Sequence, residues 1–466
     1  MMQEVFGTTP CQWQKEVITH LCLMRMSGSG TLPAPVLLVR PTGGGKSSVR
    51  DICSVMCAGF SLTIVPLLSL GADQEEKLTL RAKHAEGTIM SVHLDEIRSV
   101  GDQELLISKL KPLPNESSTT VILFSSPQAI LNKKFLWLDF LNWLIDNNRL
   151  SMVCVDEVHL FAHFGMTFRE EFKLLTPALF NKLKVGGSST TTTMPLLFMT
   201  GACAKSVVNS MQRIIGIAFE ATKNAFWPAA EEMKHRQVFM EVACTAQAFS
   251  LFKKRLAPRL KASTVEKFML CSNTRAAVER VAPKLCDWID LEGCKSDALK
   301  IVGTLHREQK FYHLRVFTRS NCNNADTFAA GVDDNRPICL EKDRPFNPQI
   351  LCATSGAANA GLDDPEAHGV TRFDFPPSVL DAQQEKGRAG RRLHANADSD
   401  WCLLCLSLES YVVLLKRLHD NPSGNRGSSY FETLENDMHD CLLTFVLPQQ
   451  CHHATIEIKM TIPFVE

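Results

Sequence analysis

The chain has 466 residues, of which 45% are hydrophobic and 21% are charged, so it is long enough for two or three ordinary globular domains. No apolar run reaches membrane-spanning length and the N-terminus lacks a secretory pattern, which predicts an intracellular protein with no membrane partner. The 50 basic and 50 acidic residues balance, so bulk charge does not predict a nucleic-acid partner, although a local basic groove could carry phosphate contacts. The 17 scattered cysteines are typical of reduced intracellular thiols.

Apolar runs alternate with amphipathic segments through the first two hundred residues. This alternation predicts a mostly parallel sheet with helices on both faces. The predicted strands are Val36–Val39, Leu62–Val65, Val121–Phe124, Met152–Val155 and Pro195–Met199.

The first chemical motif, Arg40-Pro41-Thr42-Gly43-Gly44-Gly45-Lys46-Ser47, follows the first predicted strand. It departs from the strict phosphate-loop pattern because Arg40 stands where the first glycine should be. The glycines let backbone N–H groups converge on phosphate oxygens, and the following helix adds its positive N-terminal end. Lys46 is expected to reach the β- and γ-phosphates of ATP and Ser47 to bind Mg²⁺.

The second chemical motif, Asp156-Glu157-Val158-His159, follows the buried run that ends at Val155. Asp156 is expected to bind Mg²⁺, and Glu157 to act as the general base on the attacking water. His159 is close enough to sense the γ-phosphate. The two motifs in this order, each behind a strand, predict a nucleoside triphosphatase.

A second α/β unit is predicted to begin near Val238. Residues 1–230 are the predicted ATP-binding domain and residues 231–420 the predicted C-terminal domain, with a loop insertion at 318–348 and a poorly patterned tail at 421–466. The strands predicted for the second unit are Phe268–Cys271, Leu299–Val302, Ile350–Ala353 and Gly369–Phe373, with one more strand and a helix in Trp401–Leu418. The densest basic stretch, Lys253 to Lys261, is interpreted as a solvated helix face.

These motifs resemble those of the RecQ helicases of helicase superfamily 2, from about Phe6 to Leu418. Phe6-Gly7 with Gln14 is similar to the family's entry motif, in which the glutamine reads adenine. Leu62 to Gln74 is similar to motif Ia, and Thr200-Gly201-Ala202 stands in for motif III. The resemblance implies two tandem RecA-like parallel-sheet domains with the ATP site in the cleft between them.

The resemblance also implies DNA contacts. Ser126 lies where the family contacts the DNA backbone. Residues 161–172 match in length the aromatic-rich loop that couples DNA contact to ATP hydrolysis, with Phe164, Phe168 and Arg169 as candidate contacts. His163 and Phe164 replace the family's usual glutamine and tryptophan. Thr354, in the motif V region with Gly361-Leu362-Asp363, completes the implied DNA path.

The segment Gln384-Glu385-Lys386-Gly387-Arg388-Ala389-Gly390-Arg391 is similar to motif VI. Two arginines three positions apart lie on one face of a helix. The resemblance implies that Arg391 is the arginine finger with Arg388 beside it, and that Gln384 helps to bind ATP. Such a finger supplies positive charge in the transition state.

The family's zinc-binding subdomain is not expected here. Cys441 is followed only by Cys451, and the C-x-x-C of Cys402 and Cys405 falls in a predicted buried strand, so structural zinc is improbable. The sequence therefore predicts a Mg²⁺- and ATP-dependent 3′-to-5′ DNA helicase of DNA repair or recombination, nuclear in a eukaryote, acting on single strands and 3′-tailed duplexes. An RNA helicase, a binding module or translocase with little unwinding, and a fragment stay open as alternatives.

Overall fold

The computed structural model describes residues 9–26, 35–40, 44–65, 89–113, 119–159, 174–184, 194–201, 203, 205–215, 219, 224–226, 239–262, 266–294, 297–301, 348–354, 367–389, 401–406, 408–419 and 436–443. The chain divides into two compact units, whose described residues lie between 9 and 226 and between 239 and 443. The predicted domain boundary at residues 230 and 231 lies outside the described residues. The same holds for the predicted insertion at 318–348, apart from its last residue, which begins a strand.

The first unit is built on a seven-stranded sheet of order β3-β4-β2-β5-β6-β1-β7, in which every pairing is parallel. Its strands are β1 Val36–Val39, β2 Gly59–Ile64, β3 Ile89–His93, β4 Thr120–Ser125, β5 Leu150–Val155, β6 Leu196–Thr200 and β7 Ala225–Phe226. Its helices are α1 Gln12–Met26, α2 Lys46–Cys57, α3 Val100–Leu110, α4 Pro127–Leu131, α5 Trp137–Asp146, α6 Asn181–Lys184 and α7 Lys205–Ile215, with one 3₁₀ turn at Leu94–Glu96 and one π turn at Thr176–Phe180.

The second unit has a six-stranded sheet of order β10-β11-β9-β12-β13-β8, also parallel throughout. Its strands are β8 Phe239–Cys244, β9 Lys267–Ser272, β10 Asp297–Ile301, β11 Pro348–Thr354, β12 Ala367–Arg372 and β13 Trp401–Leu406. Its helices are α8 Thr245–Ala262, α9 Arg275–Leu291, α10 Val379–Lys386 and α11 Leu408–His419. A further helix covers residues 436–443, inside the tail that the sequence leaves unpatterned.

Every predicted strand coincides with a strand of the structure to within a few residues. Three strands were not predicted: the edge strand β3 and the two-residue β7 of the first unit, and β8 of the second. β3 carries Ser91 and His93 among three apolar residues, and a short run of this kind has no clear period of its own.

These strands could be predicted from the sequence because they are buried on both faces. In the first unit α1 and α2 pack on β1, β5 and β6, and the shared core includes Val17, Leu38, Val49, Met152 and Leu197. In the second unit α8 and α9 pack on β9, β11 and β13, with Phe252, Phe268, Trp288, Ile350 and Trp401 in the core. A parallel sheet covered by helices on both faces requires nearly continuous apolar strands. Within the described part of the chain, no helix combines the length and the apolar character that a membrane crossing requires.

Candidate nucleoside triphosphate site

The phosphate loop follows β1 and leads directly into α2, as the sequence predicts. Gly45 has φ of 91°, in the left-handed region that glycine adopts without strain, and α2 begins at the next residue. Lys46 is buried, and its Nζ donates a hydrogen bond of 2.9 Å to the backbone oxygen of Arg40. Ser47 is half-buried in the first turn of α2. Pro41, Thr42 and Gly43 lie outside the described residues.

Gln14 lies against the phosphate loop, so the entry motif and the loop meet in the fold. Its Nε2 donates to the backbone oxygen of Gly45 at 3.1 Å, and its Oε1 accepts from the backbone N–H of Cys11 at 3.0 Å. A Cβ on Gly45 would approach Gln14 Nε2 to 2.6 Å, so the end of the Gln14 side chain would have to move. The φ of Gly45 is the stronger reason for glycine at this position, and the predicted contact of Gln14 with adenine stays a prediction.

Arg40, which replaces the expected glycine, is built into the wall of the loop. Its guanidinium lies 4.5 Å from the ring centroid of Trp13, a cation–π contact, and its side chain is buried. Its backbone N–H donates to the oxygen of Thr200 at 3.1 Å, across the neighbouring strand β6. The arginine side chain therefore connects the loop to Trp13 on α1, whereas the contact with Thr200 is one that any residue except proline could make.

The acidic motif stands at the carboxyl end of β5, where the sequence places it. Asp156 is buried, its backbone N–H donates to Ile64 at 2.9 Å, and its Oδ1 accepts from the N–H of Glu157 at 2.9 Å. Glu157 has φ of +48°, an unusual left-handed conformation for a residue with a side chain. Strained backbone of this kind persists where the surroundings hold it, and it often marks a functional site.

His159 joins the acidic motif to β6. It is buried, and its Nδ1 lies 2.8 Å from Thr200 Oγ1 and 3.4 Å from Glu157 Oε2. Because Thr200 also accepts from the N–H of Arg40, one residue contacts both motifs. The carboxyl ends of β1, β5 and β6 thus bring together the lysine, the carboxylates and the histidine that the sequence singled out, at the edge where open α/β sheets bind ligands.

The residues at this edge fit ATP and Mg²⁺. The left-handed Gly45 immediately precedes α2, the Ser47 hydroxyl lies in the first turn of that helix, and the Asp156 carboxylate follows β5. The amine of the buried Lys46 donates to a backbone oxygen of the loop. Mg²⁺ bound with a triphosphate typically takes one or two protein carboxylate or hydroxyl ligands, and the phosphates and water supply the rest.

A buried cation behind the acidic motif was not predicted. Arg50 on α2 pairs with Asp51 at 2.5 Å, and its guanidinium lies 5.1 Å from the ring centroid of Phe124. Burial opposes the charge of Arg50, but Asp51, Cys154 and Asp156 outweigh it, so its pKa is raised. The signal in the sequence was a charged pair between Val49 and Ile52, on the apolar stretch of α2.

Ser126, a predicted DNA contact, makes hydrogen bonds within its own unit. Its hydroxyl hydrogen-bonds to Asp95 Oδ1 and accepts from the N–H of Ala129 at 3.2 Å, and its own N–H donates to Asp95 Oδ2 at 2.8 Å. The serine thus caps α4. Contact between Ser126 and DNA stays a prediction.

Thr354 is half-buried at the carboxyl end of β11. Phe164, Phe168 and Arg169 lie outside the described residues.

The predicted finger segment begins on α10 in the second unit. Gln384 and Arg388 are both buried, and the N–H of Arg388 donates to the oxygen of Glu385 at 3.0 Å. Burial raises the pKa of Cys271 on β9, Glu385 raises it further, and Arg372 and Arg388 lower it. The charge of Arg388 therefore acts on a thiol near the carboxyl end of β9. Arg391 and residues 361–363 lie outside the described residues.

The basic stretch of α8 makes contacts within its own unit. Lys253 lies 5.4 Å from the ring centroid of Trp288, Arg259 pairs with Glu266 at 2.7 Å, and Lys261 pairs with Glu292 at 2.9 Å. This face of α8 therefore packs against its own unit.

No model of a known protein family matches the chain. It is 24% identical to the ATP-dependent DNA helicase RecQ of Pasteurella multocida over 76% of this chain and 45% of that protein. It is 24% identical to the ATP-dependent DNA helicase Q-like 4B of Arabidopsis thaliana over 81% of the chain and 27% of that protein, and 24% identical to the RecQ-like DNA helicase BLM of Xenopus laevis over 87% and 25%. The chain spans less than half the length of these curated relatives.

Solved helicase structures share the fold. The DEAD-box helicase Mss116 bound to single-stranded RNA aligns with a TM-score of 0.57 at 12% identity, over 96% of this chain and 82% of that one. The helicase Lhr of Mycobacterium smegmatis bound to single-stranded DNA and AMP-PNP aligns with a TM-score of 0.55 at 16% identity, over 97% and 56%. The comparisons confirm the resemblance to RecQ-type helicases and the class of two tandem RecA-like α/β domains.

Proposed function

We propose that this chain, a relative of the RecQ-type helicases of superfamily 2, is an ATP-dependent DNA helicase that moves 3′ to 5′ along single-stranded DNA and separates duplexes. One observation carries the proposal: the loop of Lys46, the Asp156–Glu157 pair and the His159–Thr200 contact meet at one edge of a parallel sheet. The names of the curated relatives support the choice of DNA as the nucleic acid and of unwinding as the coupled work.

In the proposed reaction Lys46 leaves the oxygen of Arg40 and binds the β- and γ-phosphates. Ser47 and Asp156 would hold Mg²⁺, which when bound would neutralise charge on the phosphate oxygens. Glu157 takes a proton from the attacking water while the water oxygen bonds to the γ-phosphorus, the bond from that phosphorus to the β–γ bridging oxygen breaks, and ADP leaves. His159, whose Nδ1 lies 3.4 Å from Glu157 Oε2, orients that carboxylate. Gln14 sits on Gly45, next to the loop, so binding of the base is coupled to the position of the loop.

The second unit supplies positive charge in this proposal. Arg391 acts as the arginine finger with Arg388 beside it, and both contact the triphosphate as charge develops on it. Phe164, Phe168, Arg169, Ser126 and Thr354 are the proposed DNA contacts. In this proposal the helicase acts in DNA repair or recombination. If the protein is eukaryotic, a tagged copy of it should be found in the nucleus.

The test is ATP hydrolysis with and without single-stranded DNA and RNA, followed by strand displacement on a 3′-tailed duplex. Lys46→Ala is the blank, since it removes the proposed phosphate contact. DNA-stimulated hydrolysis with displacement on the 3′-tailed but not the 5′-tailed duplex is expected. Hydrolysis no higher than in the Lys46→Ala blank would overturn the proposal. Stimulation by RNA alone would favour an RNA helicase, and stimulation without displacement a translocase.

A further inference from the structure

Arg372 is a buried arginine at the carboxyl end of β12 to which no role in the chemistry has been given. Its side chain is completely buried. The guanidinium pairs with the carboxylate of Glu385 on α10, bonds to Asn273 Oδ1, and donates from Nε to the backbone oxygen of Asp374 at 3.0 Å. A planar guanidinium with donors on three sides fixes the directions of all its partners at once.

The partners of Arg372 are themselves fixed. Asn273 donates from Nδ2 to the oxygen of Phe375 at 2.7 Å, and its N–H donates to Asp374 Oδ2 at 2.8 Å. The hydroxyl of Ser272 bonds to the same carboxylate oxygen. The carboxyl ends of β9 and β12 are thus joined by side-chain contacts, and Arg372 extends this network to α10.

Glu385 is the point at which the network reaches the proposed finger segment. It lies in the last turn of α10 and is buried, and Arg388 follows in the turn just after the helix ends at Lys386. The N–H of Arg388 donates to the oxygen of Glu385, and the charge of Arg388 acts on Cys271, the residue before Ser272. Arg388 therefore stands beside the network.

We propose that Arg372 is a positioning residue: through Glu385 it fixes the end of α10 so that Arg388 meets the triphosphate in the right geometry. A buried ion pair adds little stability over well-packed apolar side chains of the same size, but it fixes orientation. The proposal rests on the proposed function. It concerns the geometry of the finger segment and not the binding of ATP.

The decisive variant replaces both members of the pair, Arg372→Met with Glu385→Leu, which removes both charges of the buried pair together. We expect this double variant to fold, to bind a nonhydrolysable ATP analogue as the unaltered chain does, and to keep its KM for ATP. Its DNA-stimulated kcat should fall by about tenfold to a hundredfold, because small misplacements of a catalytic group have effects of this size. The matched control is Arg275→Met with Glu279→Leu, an exposed pair on α9 at 2.6 Å, which should leave kcat unchanged.

A second measurement separates positioning from general loosening. Arg388→Ala should lower kcat less in the double variant than in the unaltered chain, because groups that act through one geometry are not additive. If the double variant does not fold, Arg372→Lys serves in its place, since lysine keeps the charge but lacks the planar fork, and the same drop in kcat is expected.

Full kcat in a folded double variant, or in Arg372→Lys, would overturn the positioning role and leave the proposed function intact. Additive effects of Arg388→Ala would overturn it as well. Hydrolysis by the unaltered chain no higher than in Lys46→Ala would overturn the proposed function, and the positioning role would fall with it.

Discussion

Each unit of the molecule has a buried arginine paired with a carboxylate near the carboxyl ends of its parallel sheet, but the two pairs are built differently. Arg50 and Asp51 are neighbours on one helix, at 2.5 Å. Arg372 and Glu385 are separated by 13 positions and join a strand to a helix. A pair within one helix cannot fix that helix to anything, so Arg50 acts on the rest of the unit through its ring contact with Phe124 and the charge of Asp156.

The two units also differ in the contacts that hold their sites. In the first unit the described contacts at the loop end on backbone oxygens: Lys46 Nζ bonds to the oxygen of Arg40, Gln14 Nε2 to the oxygen of Gly45, and the N–H of Arg40 to the oxygen of Thr200. In the second unit the corresponding strand ends are joined by side chains, with Arg372 at the centre. Backbone contacts follow from the fold itself, whereas a side-chain network depends on the identity of each member.

The largest expected effect tests whether the second unit takes part in hydrolysis. Arg391→Ala should lower DNA-stimulated kcat by about 10³- to 10⁵-fold, because an arginine finger stabilises charge that develops only in the transition state. Steady-state hydrolysis measures it, with the exposed Arg275→Ala as control. A loss that appears in KM alone would mean that Arg391 binds ATP without acting on the transition state.

The next effect tests the first unit in the same assay. Glu157→Gln should lower kcat by about 10²- to 10⁴-fold with ATP binding retained, because glutamine cannot accept the proton from water. Nucleotide binding by a fluorescent ATP analogue separates the two quantities. Retained hydrolysis would shift the role of general base from Glu157 to another group.

The two buried arginines can be compared directly by unfolding. Arg50→Met and Arg372→Met should each cost about 3–5 kcal/mol, since each leaves a buried carboxylate without its partner. Adding Glu385→Leu should restore most of the loss in the second unit. Adding Asp51→Leu should restore less in the first, because Asp156 still lies near the missing cation. Urea unfolding midpoints measure the stability of each variant. Equal recovery of stability in the two double variants would show that Arg50 does not stabilise the charge of Asp156.

A smaller effect concerns the packing of the second sheet. A Cβ on Gly369 would lie 2.6 Å from ring atoms of Trp401 and 3.0 Å from Phe268, so Gly369→Ala should cost about 1–3 kcal/mol through overpacking. Gly101→Ala on the exposed face of α3 is the control, because its Cβ meets only Ser99 Oγ at 3.7 Å and alanine favours helix. Thermal unfolding of the two variants in parallel measures the difference. An unchanged midpoint in Gly369→Ala would show that the Trp401 ring moves aside at little cost.

The smallest effect is that of the exposed pair Lys261–Glu292. A hydrogen bond and charge attraction from Lys261 lower the pKa of Glu292, and the same contacts raise the pKa of Lys261. The pair's contribution is therefore present at neutral pH, is lost as pH falls through the lowered pKa of Glu292, and fades again above the raised pKa of Lys261. Lys261→Ala should lower the unfolding midpoint slightly at neutral pH and low salt, and not at acid pH. A difference that persists at acid pH would point to packing.

Several features of the site could be predicted because their signals are local. The phosphate loop lies between a short apolar strand and an N-terminal helix turn, and the acidic motif follows a strand that is buried on both faces. Gly45 and Asp156 therefore take the places that the sequence assigns to them. Ser126 shows the limit, because a serine before a proline predicts a helix cap as readily as a contact with DNA, and in the fold it caps α4.

The sequence by itself predicted most of the strands and the order of the motifs, because periodicity, glycine and the spacing of charged residues act over a few positions. Only the tertiary structure decided that Gln14 lies on Gly45, that Arg50 stands behind Asp156, and that Arg372 reaches Glu385. Some of these contacts join residues from different elements. Others bury a charged side chain, which the local sequence pattern does not predict. Which buried arginine meets which carboxylate follows from the packing of helices on the sheets, and that packing is a property of the whole fold.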